Sequence, residues 1–523
     1  MNFKGNALTV FFSFVSILLL AQTTSISKIS VKWDERDEEK VLSMDESFLL
    51  EDGNLLIFSG QQAATNGGLV SIGGGKQFQL SILDKERNIV KTESYKPGSI
   101  CGGCNVGQAF KLGDRYLVSM IPDKDRNNPM IFEINMATLE ISDTKKNLES
   151  FEDGIDQTTL TLNKEEIGFH LRGAIVKNKS ELFYLILRMY DTNLNAVLDQ
   201  EIEIPFKKAE LLSYDVDREG NVYVLVAIYH KGRDDKGKKK KEWIKKLYVT
   251  SPKDSKIEVI DIEKNEDKWL ADIDLKAKED GEGIILCGQF HNKETVDKKL
   301  GRSTYNNFVE RQGEPTAGKV MMKYNRTSGF SERVYTPFKK SILKPSFLEK
   351  EREKNKKKKK KESESLVGLP NLEINEIINL ENGNIVELSE GYKKRTDLEH
   401  GSAKTNEFLL LGKIVVTVFS PEGEVVWIKS IDRIHKIMDW GVPFSTMFIQ
   451  RNSIGVVFLD GKSSYVYLYD MDTGKRKKKA LYKKDEKVNL KLNPAMTKRI
   501  DDNTVIIHRT KGKKVQFGRI IFE

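Results

Sequence analysis

Residues 414–431 read IVVTVFSPEGEVVWIKSI: an apolar strand over Ile414–Phe419, a polar turn at Ser420–Gly423 and a second strand over Glu424–Ile431. β-Branched residues fill the strands, and Pro and Gly punctuate the turn between them. One strand upstream, Glu381–Asn384 supplies another tight turn. Strand, turn, strand, long connection, strand, turn and strand form a unit of four strands.

The unit recurs. First turns lie at Asp52-Gly53-Asn54, Gly113-Asp114-Arg115, Lys164-Glu165-Glu166, Glu219-Gly220-Asn221, Asp280–Gly283, Glu381–Asn384, Arg451–Ser453 and Asp501–Asn503. Second hairpins turn at Asp84–Arg87, Asn135–Thr138, Asp191–Asn195, Ser251–Ser255, Asn325–Gly329, Ser420–Gly423 and Asp470–Gly474. Asn-Gly, Asp-Gly and Gly-Asn pairs provide the positive φ of tight hairpins. A period of roughly 50–60 residues in a strand-rich chain is the mark of a propeller, and four strands per unit is what a blade requires. The expected fold is therefore all-β, a β-propeller of eight four-stranded blades. Seven is the alternative, because the third first turn has no Gly. A pair of β-sandwiches is the competing architecture.

The eighth unit stops after Val515–Phe522, one strand short, while Ile26–Trp33 alternates apolar and polar residues as a half-buried strand does. This N-terminal strand is expected to complete the last blade and remove an open edge. Residues 1–21 read as a signal peptide: Lys4, the apolar run Ala7–Leu20, and Ala21 before Gln22. Residues 22–523 are then a single propeller domain with a Lys-rich insertion near 339–369, and the mature chain has no transmembrane span. Localisation is expected to be exported, to periplasm, cell surface or medium.

Of the 523 residues, 86 are basic and 77 acidic, a net charge of +9. The excess sits in Lys236–Lys246, Lys350–Lys361 and Lys475–Lys487, where the repeat predicts a loop or a strand end. Ser341–Ser365 reads as a charged helical insertion. These runs carry little aromatic content apart from Trp243, so base stacking and specific nucleic-acid binding are not expected.

Chemistry is sparse. Cys101-Gly102-Gly103-Cys104 lacks both the strand–helix context of a redox dithiol and the further ligands of a zinc site. A possible disulfide between Cys101 and Cys104 is the expected outcome after export, and Cys287 reads as buried. Asp215-Val216-Asp217-Arg218-Glu219-Gly220 begins like a calcium loop but lacks the full EF-hand spacing. The six His, 170, 230, 291, 400, 435 and 508, are scattered, with His170 and His508 in strands. Gly73–Lys76 leads into a strand rather than a phosphate-holding helix, and Asp34–Glu39 reads as a solvated face. No catalytic residue, cofactor-binding residue or metal ligand is expected, and no cofactor.

The strand–turn signature Asp217–Val224 looks like the blade motif of several bacterial propeller families. Leu366–Ile431, with Gly368-Leu369-Pro370-Asn371-Leu372, Glu381–Asn384, Ser420–Glu424 and Trp427 behind a Lys-rich segment, resembles uncharacterised exported β-propeller-like repeat proteins of Gram-negative bacteria. The resemblance implies export and a repeat fold, and carries over no catalytic residue.

Two functions compete. One is an exported non-catalytic propeller, a binding or scaffold module with a protein or glycan partner in the cell envelope, its site shaped by insertions at Lys231–Trp243, Asn292–Ala317, Lys339–Leu369 and Lys393–Asn406. The other is a polymer-degrading enzyme, a glycoside hydrolase or lyase, which requires carboxylates from several blades converging with perturbed pKa values.

Overall fold

The computed structural model describes the chain apart from residues 1–27, 34–45, 61–76, 123–128, 149–156, 234–238, 263–267, 293–314, 344–368, 399–404, 438–444 and 483–490, and shorter breaks at 87, 165–166, 178–181, 207, 255, 279–280, 371, 434, 461–462, 493, 495–496 and 512–513. Eight antiparallel sheets follow one another and make it an eight-bladed β-propeller, nearly all β. Two compact units divide them: Glu39–Val442 holds sheets one to six, and Met1–Glu38 with Pro443–Glu523 holds sheets seven and eight.

Sheet one pairs Glu46–Leu49, Leu55–Gly60, Phe78–Leu83 and Ile89–Tyr95; sheet two, Cys104–Leu112, Arg115–Pro122, Met130–Ile134 and Ile141–Asn147; sheet three, Gln157–Lys164, Phe169–Lys177, Phe183–Tyr190 and Ala196–Ile204. Sheet four pairs Ala209–Val216, Val222–Arg233, Lys239–Thr250 and Glu258–Asp261. Sheet five runs Lys268–Ala277, Ile284–Asn292 and Gly318–Asn325, with its outer strand in two pieces, Gly329–Phe330 and Val334–Pro337. In sheet six, Leu372–Asn379, Ile385–Leu398 and Thr405–Phe419 are followed by Val425–Ile431 and His435–Ile437.

Second strands are continuous apolar runs because both of their faces are buried. Val222, Val224, Val226 and Ile228 pack into the core between sheets three and four. Tyr223 and Leu225, pointing the other way, pack into the core between sheets four and five. The third first turn is completed by Gly168, at φ 70°, so the missing Gly lies just beyond the Lys164–Glu166 stretch and the sheet is intact.

In the second unit, sheet seven is Ser445–Gln450, Ser453–Asp460, Ser463–Asp470 and Arg476–Tyr482. Sheet eight comprises Lys491–Leu492 with Lys498–Asp501, then Thr504–Lys511, Lys514–Phe522 and Ile29–Trp33. Ile29 pairs with Phe522 and Trp33 with Gly518, so the N-terminal strand is the fourth strand of the last sheet. Ile29 and Val31 pack on the core between sheets seven and eight. Deleting residues 28–33 is expected to cost about 3 kcal/mol or more through lost packing and to bare the edge of Lys514–Phe522. Thermal unfolding and light scattering check this; an unchanged, monodisperse protein refutes it.

Strand direction sorts the connections in Glu39–Val442. Links from first to second and from third to fourth strands leave one end of each sheet, and there they are short. The long links 61–77, 293–314 and 344–368 all join second to third strands or one sheet to the next, and leave the other end. At that same end Tyr229–Arg233 pairs with Lys239–Trp243, and Tyr392–Leu398 with Thr405–Leu411, as ribbons running past the first strands; His435–Ile437 lies beside Leu409–Leu411 at the base of the second. These stretches were expected as irregular insertions. They extend the second and third strands instead, because hairpin pairing satisfies the backbone without a loop.

The Lys-rich run Lys475–Lys487 meets a strand end as expected, at Arg476, and Arg476–Lys479 continues into the outer strand Arg476–Tyr482. Of the expected helical insertion Ser341–Ser365, the described residues show its start, the short helix Lys340–Leu343, and beyond it Leu369–Pro370 pairs with Pro315–Thr316. Residues 344–368, with Lys350–Lys361, lie outside the described residues, as do the expected signal peptide at 1–21, Asp34–Glu39 and Gly73–Lys76.

Candidate functional site

In the Glu39–Val442 unit the first strands of consecutive sheets lie against one another. Their pairing with the second strands slips between Val106 and Ala109, Leu211 and Ser213, Leu270 and Ile273, and Ile374 and Glu376. Bulges of this kind re-aim side chains. Here they set polar groups into a seam running from sheet three to sheet six.

Along the seam, Lys164 Nζ lies 2.6 Å from Asp215 Oδ1, while Asp215 Oδ2 accepts the Ala277 amide at 2.8 Å. The Ser213 hydroxyl donates to the Asp274 carboxylate, whose Oδ1 also accepts the Leu275 amide at 2.8 Å. Asp272 Oδ2 accepts the Ile374 amide at 2.7 Å, and Lys245 Nζ donates to the Leu270 carbonyl at 2.9 Å. Each contact except that of Leu275 links one sheet to the next.

Deeper between sheets five and six, Lys319 pairs with Glu387, both side chains 0 % exposed. Lys319 Nζ also donates to Ser389 Oγ at 2.7 Å, and Gln289 reaches Ser389 Oγ at 3.4 Å and accepts from Thr316 at 3.2 Å. Glu390 pairs with the buried Arg433 and accepts from Asn375 Nδ2 at 3.1 Å.

Asp272 and Asp274 differ from the other seam carboxylates in having no ion pair among the described residues. Burial pushes each carboxyl up to about 6, more than the donated Ile374, Ser213 and Leu275 hydrogen bonds offset. Neither residue is wholly cut off from solvent, so protons can reach them. Two carboxyls that titrate near neutrality can exchange protons with a bound group.

The residues singled out by sequence fall elsewhere. Cys101 ends the helix Pro97–Cys101, Cys104 opens the first strand of sheet two, and a disulfide joins them across Gly102, which is left-handed at φ 67°. Cys287 is buried between sheets five and six, its thiol pushed well up by burial and then by Glu387. His170 is stacked on Phe110 with ring centroids 4.8 Å apart, and burial holds it down to about 3. His508 lies against Phe517 and is held down to about 4 by burial. His400 lies outside the described residues. Among the described residues no group of three or more His, Cys, Asp or Glu could hold a metal ion.

The calcium-like stretch is built for N–H and O–H donors. Asp217 Oδ1 accepts the amides of Glu219 and Asn221 at 3.0 Å each, and Oδ2 accepts Tyr223 Oη at 2.8 Å and the Gly283 amide at 2.9 Å. Gly283 makes that reach from the next sheet at φ 107°, where a Cβ would lie 2.5 Å from the Tyr324 carbonyl. Millimolar calcium is therefore expected to leave the melting temperature unchanged. Asp217→Ala is expected to cost about 2–4 kcal/mol, since several donors to a charged acceptor are orphaned together. Calorimetry of both proteins, with and without calcium, checks this.

Asp272, Asp274, Lys319 and Glu387 were not found from sequence. For two of them a signal was present, as a charge inside an apolar strand: Lys319 in Gly318–Met322 and Glu387 in Ile385–Leu388.

No family model matches this chain, nor does any curated protein. Among solved structures it is similar to Sqt1 of Saccharomyces cerevisiae (8 % identity, TM-score 0.42, covering 94 % of this chain and 100 % of that one). It is also similar to the WD40 domain of SCAP from fission yeast (8 %, 0.39, 94 % and 98 %). A third is the β-propeller domain of the Trilobed protease from Pyrococcus furiosus (10 %, 0.35, 86 % and 100 %). Likeness at this level says nothing about chemistry.

Proposed function

We propose that this protein is an exported, non-catalytic propeller that binds a protein or glycan partner of the cell envelope through one end of its sheets. The carrying observation is the asymmetry of the connections: tight turns at one end, and at the other the long links and the two ribbons of sheets four and six. Repeat folds commonly carry their binding insertions on one face. The apolar start of the chain and the resemblance to exported repeat proteins support export. The Cys101–Cys104 disulfide fits an oxidising compartment.

The test shortens the sheet-four ribbon, replacing residues 231–241 by Asn-Gly, and in a second variant substitutes exposed residues of the tight turns, such as Glu381 and Asn382. Envelope material that co-purifies with the wild type in high salt is expected to be lost from the first variant and kept by the second. Equal retention by both sinks the reading.

Asp272 and Asp274 are the observation that favours a second reading, an enzyme acting on an extracellular polymer. Carboxylates of sheets four, five and six do converge in the seam, but Asp215, Glu387 and Glu390 are matched by Lys164, Lys319 and Arg433. Polymer cleavage that disappears in Asp272→Asn and Asp274→Asn while the protein stays folded would establish the enzyme.

A further inference from the structure

The outermost strands of sheets three and seven carry opposite charge. In sheet seven, Arg476–Tyr482 is the terminal strand and Arg476, Lys477, Lys478 and Lys479 are all exposed. Arg476 lies 4.6 Å over the Tyr467 ring and Lys478 4.1 Å over that of Tyr465, which fixes these cations along the strand. In sheet three, Ala196–Ile204 is the terminal strand, and Leu198, Ile202 and Ile204 are buried while Asp199, Glu201 and Glu203 are exposed. Asp199 is paired with Arg188 at 3.1 Å, whereas Glu201 and Glu203 have no ion pair among the described residues.

Other outer strands differ. Ile89–Tyr95 mixes Lys91 with Glu93 and Val425–Ile431 has only Lys429. The short acidic strand Glu258–Asp261 is already engaged, Glu258 by Arg326 and Tyr324 and Asp261 by Lys246. Among the described residues, one edge is thus strongly basic and one long edge is acidic with charge to spare.

A terminal strand presents unpaired backbone donors and acceptors, and like charges on it repel an identical edge. An opposite charge turns that protection into selection: cross-strand pairs of unlike charge stabilise a sheet. We propose that the basic edge Arg476–Tyr482 of one copy of this chain receives the acidic edge Ala196–Ile204 of a second copy as an added strand. The strands are seven and nine residues long, enough for a continuous ladder. Because the two edges differ, the contact is heterologous: the pair keeps one free edge of each kind, acidic on one copy and basic on the other, so assembly proceeds past a dimer unless it closes into a ring.

Sedimentation velocity of the purified chain over a range of concentrations, at about 0.05 M and about 0.5 M salt, tests this. Wild type is expected to form species that grow with concentration at low salt and dissociate at high salt. The variants Lys477→Glu/Lys478→Glu/Lys479→Glu and Glu201→Lys/Glu203→Lys are each expected to be monomeric, with melting temperatures showing both folded. Their equimolar mixture is expected to associate again, since the acidic edge of the first meets the basic edge of the second. A wild type that stays monomeric, assembly unchanged in either variant, or a mixture that fails to associate overturns the proposal. Binding of soluble heparin or poly-glutamate by a monomeric wild type would likewise overturn it and give the basic edge to another partner.

Discussion

Lys319→Met alone is expected to destabilise the Glu39–Val442 unit by about 3–5 kcal/mol, because it leaves Glu387 as an uncompensated charge in a dry interior. Both side chains of the pair are fully buried, and Glu387 Oε2 has no hydrogen-bond partner among the described residues. Glu387→Leu should cost a similar amount by stranding the ammonium. The double variant Lys319→Met/Glu387→Leu should recover most of the loss, and could exceed wild type, since an apolar pair of like volume bears no desolvation penalty. Urea unfolding followed by far-UV circular dichroism reads all four proteins. Additive single effects, with no recovery in the double variant, would show that the pair is not the coupled unit described.

His508→Phe is expected to protect the Met1–Glu38/Pro443–Glu523 unit against acid by about 2–3 kcal/mol near pH 4.5. Neither ring nitrogen of His508 has a partner among the described residues, and burial holds it down to about 4, against about 6.5 in an unfolded chain. Above pH 6.5 both states are neutral and nothing is lost. As pH falls from 6.5 toward 4, the unfolded chain takes up a proton that the folded one refuses, and stability declines.

His170 behaves alike, but shares its unit with Asp272 and Asp274, whose raised values act with the opposite sign. Those carboxyls bind protons in the fold from about pH 6 downward, before the unfolded chain does, so their contribution rises as pH falls toward 4. Acid should therefore loosen the unit containing His508 first. Melting curves from pH 7 to 4.5 that shift in parallel for wild type and His508→Phe would refute the account.

The blade pattern was legible because it is local. Turns such as Asp217–Asn221 announce themselves through Gly, Asn and Asp, and a strand buried on both faces, such as Val222–Ile228, announces itself as an unbroken apolar run. The ribbons were misread as loops because Lys and Asp suppress the strand signal, while the pairing of Lys231 with Lys241 depends on a partner strand. The seam was invisible for a related reason: Lys164 meets Asp215, and Lys319 meets Glu387, across intervals of chain that no short-range pattern spans.

By itself the sequence determined a repeat of four-stranded units, with eight favoured over seven, and an N-terminal strand to fill the gap in the last, since turn chemistry and strand periodicity act within a few residues. Only the tertiary structure decided which charges are buried and paired, which carboxyls are driven toward neutral pH, and which end of the sheets carries the ribbons. Those depend on desolvation and on distances between sheets, which exist only once the strands have packed.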